Sequence, residues 1–343
     1  MSAKNNTPAK NHGPHIVCIG GGTGTFVALK GLKRFPCHLS AIVTMSDSGG
    51  SNSRIRDEFG LLPTSDIRQC LVALSDENGG AGLLRKLFMY RFEKGNGIRG
   101  MTFGNLFMAA LSDILGSQEE AIRQTGRVLR IQGTVIPVSL TDTNLYAEYE
   151  NGHTVAEEHL IDEPAHDGKL KIVNVYLKPR AQVNPEALAT IAKADLIVLG
   201  PGDLYTSLLP NLLVDGVARA LRASKAKKVY VVNLMTKYGQ TYDFSARDHM
   251  QVVEKHIGVP LDWVVVNTAA IPPKALEVYA RYHEQPVTNN VTSGPKTKVI
   301  GADIISRQFT PKAKSDTLIR SLIRHDSNRL AQVLMHILEA KRT

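Results

Sequence analysis

From His15 onward, short apolar runs alternate with segments of helical period. HIVCIG (15 to 20) is apolar at consecutive positions, as in a strand buried on both faces. FVALKGLKRF (26 to 35) spaces its apolar residues three and four apart, and HLSAIVT (38 to 44) returns to the strand pattern. Strand, helix and strand in that order predict a βαβ unit. Runs of the same kind recur at ADLIVLG (194 to 200), KKVYVVNL (227 to 234), DWVVVN (262 to 267) and TKVIGADII (297 to 305), most beside a helix-period stretch. The pattern predicts an α/β fold, a Rossmann-like, doubly wound, mostly parallel sheet. One domain over 15 to 343 follows a disordered tail, 1 to 14.

Two stretches interrupt the alternation. Residues 57 to 125 carry mainly helical signals (DIRQCLVALSD, GLLRKLFMYRF, FGNLFMAALSDILG) and read as a helical insertion. Residues 127 to 178 read as a short antiparallel section: VLRIQGTVIPVSL, then LYAEYENGHTVAEEHLI with Asn151-Gly152 as a hairpin turn, then KLKIVNVYL. The chain ends in an amphipathic helix with Leu330, Val333, Leu334, Ile337 and Leu338 on one face, a face expected in the core, and Asp326 or Ser327 placed to cap it.

Composition narrows the function classes only a little. An apolar content of 43% belongs to a globular chain with a proper core, and the formal net charge of +9 suits an anionic partner without choosing among nucleotide, phosphate, nucleic acid and lipid. Aromatics are 6% and no basic stretch is interleaved with them, which speaks against single-stranded nucleic acid. Cys18, Cys37 and Cys70 form no metal or redox spacing and are expected to be small buried residues in a reducing compartment. No leader-like apolar segment or membrane span is evident, so a cytoplasmic location is expected. Self-association is left open by the sequence.

The polar punctuation of the strands is where chemistry is concentrated. IGGGTGTF places Gly20, Gly21, Gly22, Thr23 and Gly24 between a strand and a helix, where backbone N–H groups and a helix dipole favour an anion. Thr25 breaks the dinucleotide fingerprint, and no Gly-Lys-Ser/Thr follows at the spacing of a P-loop. TMSDSGGSNSRIR (44 to 56) ends the second strand in Asp47, Gly49, Gly50 and Ser51, with Arg54 and Arg56 beyond. Its carboxylate could form a simple Asx turn, or hold a hydroxyl or a magnesium ion carrying phosphate oxygens. LGPGDLYTSLLPNLLV repeats the arrangement with Gly200, Gly202, Tyr205, Thr206 and Ser207, and YVVNL offers Asn233. Two glycine-rich strand ends on one sheet edge imply one crevice. SDIRQCLVALSD and GMTFGNLFMAAL put Asp66, Arg68, Gly104 and Asn105 at helix starts, where capping is the competing role for Asp66 and Asn105. His153, His159 and His166 lie in an acidic stretch and are expected on a solvated hairpin surface.

Taken together, GGGTGT, TMSDSGGSNSRIR, SDIRQCLVAL, FGNLFMAAL, LGPGDLYTSLLPNLL, NLMT and RHDSNRLA, spread over residues 15 to 331, resemble the YvcK-type gluconeogenesis factors, relatives of the 2-phospho-L-lactate transferase CofD. The resemblance implies a nucleotide-type ligand. In the gluconeogenesis-factor branch this is a UDP-sugar such as UDP-N-acetylglucosamine, in a cytoplasmic role linking carbon metabolism to envelope synthesis and cell shape. In the CofD branch it implies a magnesium-dependent transferase that moves a phospholactyl-type group from a nucleoside diphosphate carrier to a hydroxyl. Residues matching the pattern are Gly21, Gly22, Thr23, Gly24, Asp47, Gly49, Gly50, Ser51, Arg54, Arg56, Asp66, Arg68, Gly104, Asn105, Gly200, Gly202, Tyr205, Thr206, Ser207 and Asn233. Asp47 is the candidate metal ligand, and the catalytic residue only if the protein is an enzyme. Three departures stand out: Ser48 where a second aspartate is usual, Met101 where histidine is common, and Asp203 in place of a serine. They favour ligand sensing over fast transfer.

Overall fold

The first strand determines the layering. In β1 (His15–Gly20), Ile16 and Cys18 point to one face of the sheet and Val17 and Ile19 to the other, and all four are essentially inaccessible to solvent. A strand with two apolar faces belongs in the middle of a parallel sheet. The structure, a computed structural model, describes residues 13–49, 51–77, 80–308 and 322–341, so the expected tail lies almost wholly outside the described residues. In it β1 is flanked by β2 (His38–Val43) and, much later in the chain, by β7 (Leu196–Leu199).

Between those two come β3 (Thr134–Pro137) and a small sheet of β4 (Asn144–Tyr149), β5 (Thr154–Ala156) and β6 (Ile172–Lys178). After β7 follow β8 (Lys227–Val231), β9 (Trp263–Asn267) and β10 (Lys298–Ala302). The main sheet has seven strands in the order β10-β9-β8-β7-β1-β2-β3, every pair parallel. The small sheet has the order β5-β4-β6 and is antiparallel. The doubly wound α/β expectation therefore holds.

Two boundaries differ from the sequence reading. Residues 134 to 137 pair in parallel with β2 and close the main sheet instead of opening an antiparallel section. The antiparallel part begins only at Asn144, and the residues expected to end its hairpin, Glu158–Asp162, form a helical turn. The helical stretch also starts early, because the polar run after β2 is itself helical. After α1 (Gly22–Leu32), which follows β1, the stretch holds α2 (Ser51–Phe59), α3 (Ser65–Leu74), α4 (Gly80–Met89), α5 (Phe103–Leu115) and α6 (Gln118–Val128), and the helical turn beyond β5 is α7 (Glu158–Asp162). Of these, α3 is no peripheral addition: Ile67, Cys70, Leu71 and Leu74 are buried in the same core as Ile16, Leu29 and Val43. The rings of Phe88, Phe103 and Phe107 lock α4 to α5 with centroids 5.0 to 6.1 Å apart.

The last helix, Ser327–Glu339, buries Leu330, Ala331, Leu334 and Ile337 on that face of the sheet, with Val333 and Leu338 packed beside them. Asp326 caps it by accepting from the N–H groups of Asn328 (3.0 Å) and Arg329 (2.9 Å). It fits tightly over α1, since a Cβ at Gly31 would collide with the Ser327 carbonyl. Cys18 and Cys70 are buried as expected, whereas Cys37 is partly exposed. Burial pushes the Cys18 thiol up to about 12 and the Cys37 thiol to about 11, so neither supplies a thiolate at neutral pH. Among the described residues no helix is long and apolar enough to cross a membrane.

Candidate functional site

The order in which strands are added reverses at β1. The chain passes from β1 to β2 on one side and returns through β7 on the other, so a crevice opens above the carboxyl ends of β1 and β7. Both strands end in glycine there. Gly21 begins α1 without a side-chain cap, and Gly22 has φ +61, a left-handed conformation that glycine adopts without strain. Opposite, Gly200 (φ +73), Pro201 and Gly202 (φ +152) lead into a wide π-type turn, Leu204–Leu208.

The two turns touch. A Cβ at Gly24 would collide with the Pro201 carbonyl and come within 2.8 Å of the Gly202 nitrogen, and one at Gly202 would lie 3.4 Å from the Gly21 oxygen. Ser207 faces Gly22, its Oγ 3.7 Å from where a Cβ would stand. Asn211, wholly buried, donates through Nδ2 to the carbonyls of Gly20 (3.3 Å) and Ser207 (2.9 Å) and so pins the turns together. Its sequence signal was one amide inside the apolar run LLPNLLV.

A third element closes the crevice. Asp66, in the first turn of α3, lies so close to Gly21 that a Cβ there would strike its carboxylate. A carboxylate against the start of α1 is electrostatically favoured. Gln69, one turn on, brings Nε2 to 3.5 Å from Asp66 Oδ1 and accepts at Oε1 from Thr23 Oγ1 at 3.5 Å. Asp47 takes the Asx-turn geometry, Oδ1 accepting from Gly49 N–H at 2.9 Å. Ser48, standing where a second aspartate is usual, instead meets His159 of α7: the two side chains are 3.0 Å apart, and Ser48 Oγ accepts the His159 N–H at 3.1 Å.

That contact carries α7 into the crevice, while the His159 side chain keeps 39% of its surface exposed, in line with the solvated hairpin surface expected for it. His166 packs against a ring, its centroid 4.3 Å from that of Tyr149. With α7 comes Glu158, whose carboxyl is held well above the usual range first by burial and then by the charges of Asp47, Asp162 and Asp66. Four carboxylates thus share the mouth of the crevice. Glu158 and Asp162 escaped the sequence reading because they look like ordinary members of an acid-rich hairpin. Among the described residues, no three His, Cys, Asp or Glu side chains are grouped so as to hold a metal ion.

A cation on the far wall balances part of this charge. Lys237, in the loop after β8, lies 3.6 Å from Asp162. Burial alone would lower its ammonium, but Asp162, Asp203 and Glu284 together hold it above the usual lysine range. Asp203 thereby acquires a partner. Its carboxyl is raised by burial, an effect Lys237 opposes and Asp162 reinforces. Gln240 joins the wall, donating to Asp162 Oδ1 (2.8 Å) and Thr206 Oγ1 (3.3 Å).

Glu284 is pushed up to about 7, chiefly by burial, with Lys237 pulling it down and Asp203 pushing it up. The folded chain binds this proton more tightly than the unfolded chain does. The resulting stabilisation is complete below the ordinary carboxyl value of 4.5 and is lost as the pH rises through about 7. Glu284→Gln is expected to flatten the corresponding part of the melting temperature against pH. An unchanged slope in the variant would mean that Glu284 ionises freely.

The remaining expected residues sit elsewhere or inward. Arg54 pairs with Glu58 (3.3 Å) and donates to the carbonyls of Gly97 and Arg99, while Arg56 pairs with Asp142 (2.8 Å) and Asn144 (2.7 Å). Arg68 Nε donates to Asn105 Oδ1 (2.9 Å), Asn105 Nδ2 to Ser65 Oγ (3.1 Å), and Ser65 Oγ to Asn52 Oδ1 (2.8 Å). This buried chain of bonds ties α2, α3 and α5 together behind the crevice. Gly104 permits it, since a Cβ there would be 2.7 Å from Arg68 Cδ. Met101 is core, packed with Ile55 and Ala109. Tyr205 is buried with its ring 6.4 Å from that of Phe244. Asn233 lines a neighbouring recess beyond β8. Gly50 and the Ser51 side chain lie outside the described residues.

A doubly wound parallel sheet with paired glycine turns at its switch point defines a Rossmann-like crevice protein. Residues 16–310 match the family described as 2-phospho-L-lactate transferase CofD. The chain is 38% identical over 329 residues to the gluconeogenesis factor of Bacillus subtilis, covering 95% of this chain and 98% of that one. It is 39% identical over 324 residues to the gluconeogenesis factor of Halalkalibacterium halodurans, covering 94% and 95%. A crystal structure of a Bacillus halodurans protein superimposes with a TM-score of 0.84 at 36% identity, covering 94% of this chain and 99% of that one. The chain belongs to the CofD family, among its gluconeogenesis factors.

Proposed function

We propose that the crevice binds a nucleotide-sugar, with UDP-N-acetylglucosamine the first ligand to test. The protein would act in the cytoplasm as a binding factor that ties carbon metabolism to envelope synthesis and cell shape. The observation that carries this reading is the contact between the glycine turns of β1 and β7 at the sheet's switch point, which leaves backbone close to any ligand seated there. Gly21, Gly22, Thr23 and Ser207 would face the diphosphate.

Such a ligand also meets Asp47, Asp66, Glu158 and Asp162, so its phosphates need a cation between. Magnesium keeps most of its waters and takes one or two protein carboxylates together with phosphate oxygens. The donor set here fits a metal arriving on the ligand better than one held by protein alone. When bound, it would supply charge neutralisation between carboxylate and phosphate.

Calorimetry with UDP-N-acetylglucosamine and magnesium is expected to show saturable one-to-one binding that weakens when the metal is chelated. Flat traces with uridine-, guanosine- and adenosine-diphosphate sugars alike would refute the reading. The same four carboxylates favour a second reading, a CofD-like transferase. Magnesium-dependent product from a guanosine-diphosphate-linked phospholactate and a deazaflavin acceptor would establish it in place of a pure binding role.

A further inference from the structure

The stretch from α4 to the start of α5 carries a surface that the crevice does not use. In α4, Phe88 is wholly buried against the rings of Phe103 and Phe107, and Leu84 packs inward with it. Leu83, 72% exposed, and Leu87, four residues on, form the opposite face. Tyr90, 52% exposed, continues that spacing just past the helix end, and Met89 and Ile98 are exposed as well. Large apolar side chains left in water at this density mark an interaction surface.

The chain beyond α4 is braced. Residues 90 to 103 fold back on themselves, with the N–H groups of Phe92 and Phe103 donating to the carbonyls of Met101 and Tyr90 (both 2.9 Å). The N–H groups of Ile98 (3.1 Å) and Arg99 (2.8 Å) close the turn on the Gly95 carbonyl, and Arg54 of α2 holds the Gly97 and Arg99 carbonyls. Lys94, Ile98 and Arg99 are thus presented to solvent on a framed loop.

The charge of this surface has one sign. Residues 80 to 100 include five cations, Arg85, Lys86, Arg91, Lys94 and Arg99, and a single acid, Glu93. Arg85 is paired with Glu77, and Arg91 donates to the Gly100 carbonyl. Glu58, which α2 brings toward the loop, is already held by Arg54 at 3.3 Å. Lys86, Lys94 and Arg99 are exposed, and among the described residues no carboxylate pairs with them.

We infer that this face docks on an anionic lipid surface. Leu83, Leu87, Tyr90 and Ile98 enter the headgroup layer, and Lys86, Lys94 and Arg99 meet the lipid phosphates. A bilayer of that kind supplies an apolar layer and negative charge in one plane, which is what the two sets of side chains require. With ten residues, α4 lies on the membrane instead of crossing it. A second copy of the chain fits less well, because a two-fold axis would bring two rims of the same sign together. Nucleic acid would satisfy the cations and give the leucines little to bury against.

The test is flotation of the full-length protein with vesicles of phosphatidylcholine alone and of phosphatidylcholine and phosphatidylglycerol in equal parts. Leu83→Asp with Leu87→Asp removes the apolar half of the face, and Lys94→Glu with Arg99→Glu the basic half. All four positions are exposed, and melting temperatures confirm folding before binding is read. The unaltered protein is expected to float with the anionic vesicles, to dissociate as salt is raised, and to lose about tenfold or more in affinity in each double variant. No flotation of the unaltered protein, equal binding to both kinds of vesicle, or either folded variant binding as tightly as the parent overturns the inference. Self-association abolished by the leucine changes, without vesicle binding, overturns it in favour of a second copy.

Discussion

Gly24→Ala is expected to destabilise the protein by about 3 kcal/mol, at the upper end for overpacking against rigid neighbours. The sign is what makes the experiment decisive. Gly24 lies inside α1, where helix propensity alone would make alanine the better residue by about 1 kcal/mol. The opposing effect is steric: the added methyl group meets the Pro201 carbonyl and the Gly202 nitrogen, which are backbone and cannot swing aside. Relief requires α1 and the turn after β7 to separate, and that separation widens the crevice floor. Urea denaturation should therefore show a lower midpoint with unchanged slope, accompanied by a marked loss of affinity for UDP-N-acetylglucosamine. A variant as stable as the parent would show that the two turns are not in contact in solution.

Lys237→Met is expected to cost about 3 to 5 kcal/mol, the range for removing one partner of a buried ion pair. Methionine replaces most of the side chain's volume, so the loss reports charge. Asp162, Asp203 and Glu284 are left facing one another without their common cation. Protonation relieves that repulsion, and the variant's deficit should shrink between pH 8 and pH 5.5 as the carboxyl of Glu284, already pushed up to about 7 with the lysine present, takes up its proton. Denaturation of both proteins at the two pH values checks this. A deficit that is the same at both would assign the lysine a packing role only.

The sequence disclosed the central strands, since β1, β7 and β9 read as apolar runs and β2 and β8 nearly so, with Ser40 inside the one and Lys227 and Lys228 opening the other. It hid β3, a four-residue edge strand following close on the end of α6, whose residues resemble the first arm of a hairpin. It also hid α2, a helix so polar that among its described side chains only Ile55 and Asn52 are wholly buried, which reads as a loop. At the crevice, the glycine turns were legible because close backbone approach demands glycine. The roles of Ser48, Glu158, Asp203 and Lys237 were not. Each depends on the small antiparallel sheet delivering α7 to the carboxyl edge, a tertiary event that no local pattern announces. Arg68 and Asn105 were legible as polar residues at helix starts, yet their partners are each other and the framework behind the crevice.

The close seat of the Ser327–Glu339 helix on α1 has a bearing on how the chain is made. The segment that shares a core with Ile16, Cys18 and Leu29 is synthesised long after β1 and α1, so until then a nascent chain carries a central strand with one oily side still wet. Stalling or premature termination ahead of Ser327 would leave that side open for chaperones and proteases to recognise, and only copies that carry this helix would escape them.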